Sequence, residues 1–256
     1  MKPKKSLGQN FLTSIPARIA IIEAGNLAAS DTVLEIGPGK GFLTKGLLES
    51  GASIIALEKD SELLPVLKET FLNHKNLTLI EGDALTYEPP SKPYKLIANI
   101  PYYITGAILE RYLSHTHQPS HMVVLVQKEV AERVCARDGK ESILSLSVKA
   151  YGEPKLVYKV SRGSFNPAPT VDSAVLQISN ISRKNFDNQY HEQIFFKTVK
   201  QGFAHKRKYV LSNLKSAFPN TDLVAIFSKL SLDAKARAED IPLGLWLLLS
   251  RELSQK

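Results

Sequence analysis

The apolar segment Val33 to Gly37 runs into Gly37-Pro38-Gly39-Lys40-Gly41, and Phe42 to Ser50 then carries apolar residues at helical spacing. A strand that passes to a helix through a glycine-rich turn predicts a parallel α/β sheet with a ligand crevice at the carboxyl end of its strands. The rest of the first half repeats the alternation. Ser53 to Glu58, Leu77 to Ile80, Lys95 to Asn99 and Met122 to Val126 read as strands. Ser61 to Leu72, Thr105 to Ser114 and Glu129 to Ala136 read as helices between or after them. That order predicts a doubly wound, Rossmann-like sheet covered on both faces. Ser142 to Tyr151, Leu156 to Val160 and Ser173 to Ile178 read as closing strands, antiparallel because no full helix separates them. After about Ser182 only helical stretches follow, at Tyr190 to Gly202, Lys206 to Ala217, Asp222 to Lys229 and Leu243 to Leu253. The expected organisation is a catalytic domain over residues 1–182 and a small helical domain over residues 183–256.

The glycine turn alone fits either a dinucleotide or another nucleoside cofactor. Its spacing is G-x-G-x-G rather than G-x-G-x-x-G, and Pro38 removes a backbone donor that a pyrophosphate would use. S-adenosylmethionine has no phosphate to hold, so it is the favoured cofactor. Glu58 ends the second strand, where a carboxylate accepts hydrogen bonds from ribose hydroxyls. Asp83, after the third strand, is placed for the adenine amino group. The bland reading of both acids is a solvated strand end.

Asn99-Ile100-Pro101-Tyr102 closes the fourth strand and faces the same crevice. An exocyclic adenine amine is a weak nucleophile because its lone pair is delocalised into the ring. Two acceptors, the Asn99 side-chain oxygen and the Ile100 carbonyl, are suited to hold its hydrogens and aim the lone pair at a methyl donor. Tyr102 is the expected stacking platform for an unpaired base. Phe165, in Phe165-Asn166-Pro167-Ala168-Pro169, is the candidate for the opposite face, its alternative being a core phenylalanine.

Charge is uneven along the chain. Residues 1–10 carry three lysines and no acid, residues 181–256 carry 13 basic and 7 acidic residues, and the body between carries 17 and 18. Basic ends around a near-neutral body suit phosphate contacts, although a solvated surface has the same composition. Cys135 is the only cysteine, which excludes an intrachain disulfide and a thiolate metal site. His115 and His117 form a close pair without a third ligand nearby in sequence, so no metal is expected. No secretory signal is recognised, and no segment nears the roughly 18 apolar residues of a membrane span. A cytoplasmic protein without membrane association is expected.

Together these residues resemble the ribosomal RNA adenine dimethyltransferases of the KsgA type, which share a catalytic fold with the Erm methyltransferases. The matching blocks are Gly8-Gln9-Asn10-Phe11-Leu12, Glu35 to Gly41, Glu58, Glu81-Gly82-Asp83, Asn99 to Tyr102, and Phe165 through Pro169-Thr170-Val171-Asp172-Ser173. The resemblance implies that Asn10, Leu12, Gly37, Glu58, Asp83 and Asn99 line a cofactor site. It also implies two methylations on each of two adjacent adenosines in the 3′-terminal hairpin of small-subunit rRNA, presented in a pre-ribosomal particle to a monomeric enzyme. Residues 1–12 then become a segment folded over the cofactor, with Lys2, Lys4 and Lys5 near RNA. In the C-terminal part, Gly202 to Lys208 and Arg237-Ala238-Glu239-Asp240 resemble the KsgA branch and mark Lys206, Arg207 and Lys208 as RNA contacts. An Erm-like enzyme acting on large-subunit rRNA, and an assembly factor whose catalysis is dispensable, are the alternatives.

Overall fold

The computed structural model describes residues 3, 4 and 7–255. The chain divides into two compact units. The first runs to Glu132 and resumes over Gly152–Ile181, and the second holds Arg133–Tyr151 and the chain from Ser182 onward. Where the sequence suggests one boundary at residue 182, the chain thus enters the helical unit early and returns before leaving for good.

The first unit is a seven-stranded sheet. In chain order its elements begin with β1 (Phe11–Leu12), α1 (Ile15–Gly25), β2 (Thr32–Ile36), α2 (Phe42–Glu49), β3 (Ser53–Glu58), α3 (Leu63–Thr70), β4 (Leu77–Glu81) and β5 (Lys95–Asn99). They continue with α4 (Thr105–Ser114), β6 (His121–Gln127), α5 (Lys128–Val134, whose end passes into the second unit), β7 (Glu153–Val160), β8 (Phe165–Asn166) and β9 (Ser173–Ser179). Strands lie in the order β4-β3-β2-β5-β6-β9-β7. The five from β4 to β6 are parallel, and β9 is antiparallel to both β6 and β7. Central β6 reads His-Met-Val-Val-Leu-Val-Gln and buries its five middle residues, the continuous apolar run of a strand covered on both faces. Edge strand β7 tolerates Pro154 and four Lys, Glu or Tyr side chains because one side of its ladder is open.

Two elements differ from expectation. Residues 15–25, given no element by the sequence reading, form α1. Proline is at home in a first helical turn, and Ser14 caps it by accepting the Ala17 N–H. Arg18 lays its guanidinium over the Phe42 ring, 4.8 Å from the centroid, while Ala17 and Ile21 are fully buried. The second difference is α6 (Ile143–Lys149), where the alternating Leu144, Leu146 and Val148 suggest a strand. A reciprocal capping box between Ser142 and Ser145 satisfies first-turn N–H groups, and Leu146 and Ala150, four apart, enter the helical core together.

The second unit packs α6 with α7 (Gln189–Gly202), α8 (Val210–Lys215), α9 (Leu223–Lys229) and α10 (Leu243–Ser254). The apolar run Ile241 to Leu249 is explained by Trp246 and Leu249, both fully buried. Gly202 leaves the room that the indole occupies, since a Cβ there would meet Trp246 Cη2 at 2.3 Å.

Candidate active site

The carboxyl ends of β2, β3, β4 and β5 open on one cavity of 530 Å³. Its walls come from residues 7–13, 36–43, 57–59, 82–85 and 99–104, with Leu63, Phe71, Asn166 and two further side chains. Asn10, Leu12, Gly37, Glu58, Asp83, Asn99, Ile100, Pro101 and Tyr102 all belong to that wall.

The turn after β2 is built from backbone conformations that side chains rarely adopt. Gly37, Gly39 and Gly41 have φ of +69°, +60° and +81°. At Gly41, which caps α2, space is also closed, because a Cβ would lie 2.5 Å from the Phe71 ring. At its three glycines the turn therefore meets the cavity without a side chain.

Glu58 is 6% exposed and its two oxygens are fixed separately. Oε1 accepts the Asp60 N–H at 2.8 Å and Oε2 accepts the Gly39 N–H at 3.0 Å, so the glycine turn and the carboxylate hold each other. Burial pushes the carboxyl up from its ordinary range, and these N–H groups oppose the shift. Asp83 accepts the Leu85 N–H at 2.9 Å and pairs with Lys59 at 2.8 Å, which lower its pKa against partial burial. Beneath the turn lies Glu35, fully buried, neither of whose oxygens has a hydrogen-bond partner among the described residues. Burial raises its pKa to about 8. The nearby Thr44 hydroxyl opposes the rise, and the Glu58 charge adds to it.

At the end of β5, the Asn99 amide nitrogen donates to the Asn10 carbonyl at 3.2 Å. That bond fixes which way the amide faces and leaves Oδ1 as the acceptor available to a ligand. Tyr102 begins a short 3₁₀ turn after Pro101, and its hydroxyl bonds the buried Ser173 Oγ at 2.6 Å. Ser173, at the start of β9, escaped the sequence reading except as the last letter of a motif. Only its contact shows that it holds the ring.

The segment before α1 is stitched down along its length. Phe11 and Leu12 pair with Asn166 and Phe165, and the Thr13 N–H reaches the Ser164 carbonyl at 2.8 Å. Phe165 is therefore a strand residue, 5% exposed and part of the core, and it does not line the cavity, whereas Asn166 does. Lys4, expected beside RNA, is committed to carboxylates, 2.7 Å from Asp60 and 2.9 Å from Glu62. Lys2 and Lys5 lie outside the described residues. Lys206, Arg207 and Lys208 are exposed on the turn before α8 of the second unit, so that helix starts at Val210 rather than Lys206.

The histidine pair gains a neighbour that sequence did not offer. Ligand atoms of His115, His117 and Glu88 lie within 4.8 Å of one another. His115 Nδ1 accepts the His117 N–H at 3.0 Å, so the neutral ring carries its proton on Nε2, 3.4 Å from the Glu88 carboxylate. A proton, rather than a lone pair, faces the third group.

The family model described as ribosomal RNA adenine dimethylase matches residues 1–255. Ribosomal RNA small subunit methyltransferase A of Dehalococcoides mccartyi is 38% identical over 259 residues, covering 98% of this chain and 89% of the relative. Its namesake from Fusobacterium nucleatum is 37% identical and covers 97% and 96%. Among solved structures, a dimethyladenosine transferase from Plasmodium falciparum superposes with a TM-score of 0.84 at 26% identity, covering 96% of this chain and 98% of that one. The 23S rRNA methyltransferase ErmE gives 0.80 at 27% identity, covering 95% and 99%.

Proposed function

Because this chain belongs to the ribosomal RNA adenine dimethylase family, we propose that it dimethylates N6 of two adjacent adenosines in the 3′-terminal hairpin of small-subunit rRNA. Family membership makes it an S-adenosylmethionine-dependent rRNA adenine dimethyltransferase. The choice of subunit rests on relatives that carry the small subunit in their names and match nearly the whole chain more closely than the large-subunit enzyme does.

The cavity suits the cofactor. Its 530 Å³ falls within the range of small-ligand sites, Pro38 has no N–H to offer a pyrophosphate, and the Glu58 carboxylate stands at the wall for a ribose. Asn10, Leu12 and Gly37 would surround the cofactor, and Asp83 would accept from its adenine amine. S-adenosylmethionine supplies an electrophilic methyl group.

The observation that carries the catalytic reading is the Asn99 amide, held by the Asn10 carbonyl with Oδ1 turned away from that bond. Oδ1 and the Ile100 carbonyl accept the two hydrogens of N6, which localises and aims its lone pair. Pro101 keeps the following turn rigid, and Tyr102 offers its ring to one face of an unpaired base. The alkylated nitrogen is cationic and gives its proton to water, so no strong side-chain base is required. Lys206, Arg207 and Lys208 contribute phosphate contacts to a monomeric enzyme meeting a pre-ribosomal particle in the cytoplasm. No helix among the described residues is long and apolar enough to cross a membrane.

The test is incubation with labelled S-adenosylmethionine and unmethylated small subunits, followed by mapping of dimethyladenosine. Label is expected in the 3′-terminal hairpin, and Asn99→Ala should slow transfer about hundredfold, the scale of losing one aligned acceptor at a reacting group. Label appearing instead on protein-free large-subunit RNA would favour the Erm-like reading. Rescue of a deletion strain's growth by Glu58→Ala, with no methylation restored, would favour an assembly role.

A further inference from the structure

Asp60 does not line the cavity, yet it touches both structures that enclose it. Its residue is 3% exposed, and a carboxylate so buried is tolerated only when its oxygens are saturated. Oδ1 receives Lys4 Nζ at 2.7 Å and the Glu62 N–H at 3.2 Å, and Oδ2 receives Gln9 Nε2 at 2.8 Å. Gln9 Oε1 turns back to accept the Lys4 N–H at 2.7 Å, closing residues 4 and 9 into one loop on this aspartate. Among the described residues, the side-chain hydrogen bonds and ion pairs from residues 3, 4 and 7–9 to the body of the unit converge on Asp60 and Glu62. Glu62 is 60% exposed, so its share is screened. On its other side, Asp60 gives its own N–H to Glu58 Oε1 at 2.8 Å.

We infer that Asp60 is a positioning residue that latches the N-terminal segment across the cofactor cavity and thereby sets how tightly S-adenosylmethionine is held, without entering methyl transfer. The inference rests on the cavity being the cofactor site. Residues 7–13 form one wall, anchored at Leu12 and Thr13 by β8 and its approach, and at Asn10 by Asn99. Among the described residues, residues 4 and 7–9 meet the body of the unit through side-chain hydrogen bonds and ion pairs at Asp60 and Glu62, so the hold on this stretch against ligand exchange centres there. A neutral amide at position 60 would lose the charge that Lys4 needs and would point a donor at one of its present donors.

The test compares wild type, Asp60→Asn and Lys4→Met by equilibrium dialysis with S-adenosylmethionine, single-turnover methylation at saturating cofactor, and hydrogen exchange of residues 7–13. Asp60→Asn should raise the Kd about tenfold and Lys4→Met about threefold, with single-turnover rates within about twofold of wild type and faster exchange in the segment. Lys4 is one-third exposed, so its variant decides the matter should Asp60→Asn fail to fold. Unchanged Kd in the folded variants, or a fall in single-turnover rate at unchanged Kd, overturns the inference. Wild-type protein that fails to bind the cofactor sinks the site assignment as well. Binding that Glu58→Ala abolishes but Asp60→Asn spares sinks the latch alone.

Discussion

Glu35 is the residue whose surroundings are most at odds with its chemistry. A carboxyl with no exposure and no hydrogen-bond partner favours its neutral form, and its pKa of about 8 lies far above the ordinary 4.5. The folded state then holds a proton that the unfolded chain releases earlier. Glu35 stabilises fully below about pH 4.5, and this contribution is lost as pH rises through about 8. Thermal unfolding followed from pH 5 to 9 should show melting temperature falling across the window, and Glu35→Gln should flatten that fall. Parallel slopes for the two proteins would mean the carboxyl is charged and compensated. Glu58, hydrogen-bonded to the same turn from the next strand, is treated differently by the fold, since two N–H groups meet its oxygens.

Among elements, α6 shows most clearly how local chemistry overrides pattern. Its seven residues are too few to be stable by propensity, so the Ser142–Ser145 capping box and the packing of Leu146 and Ala150 must supply the difference. Ser142→Ala should cost about 1 kcal/mol of stability, within the usual range for losing a serine cap. Denaturant titration followed by the Trp246 fluorescence of that unit's core would read it, and S-adenosylmethionine affinity should stay as in wild type. Apolar residues at alternate positions suit a strand only where a neighbouring strand exists to pair with it. Here the segment lies within the helical unit, and the sheet continues without it from β6 to β9.

At the scale of the whole molecule, the proposed division of catalysis and RNA contact between the two units predicts effects that can be measured separately. Replacing Lys206, Arg207 and Lys208 together with glutamine should weaken rRNA binding, and should lower the salt slope of log K by about two to three for three lost phosphate contacts. S-adenosylmethionine affinity should be untouched, because all residues around the cavity belong to the first unit. An unchanged salt slope would remove these side chains from the interface. The sequence by itself determined the parallel sheet, the glycine turn, the carboxylates ending β3 and following β4, and the acceptor motif ending β5, because each is written in contiguous residues with a local reason to fold as they do. Resemblance was needed for Asn10 and Leu12, whose short segment has no pattern of its own. Only the tertiary structure decided that Asn99 is oriented by Asn10, that Ser173 holds Tyr102, that Phe165 is paired into a strand and that Lys4 and Gln9 meet Asp60. Those contacts join residues from about 50 to 150 positions apart in the chain. Periodicity reports the face a residue turns to its own element, and says nothing of which distant side chain arrives there.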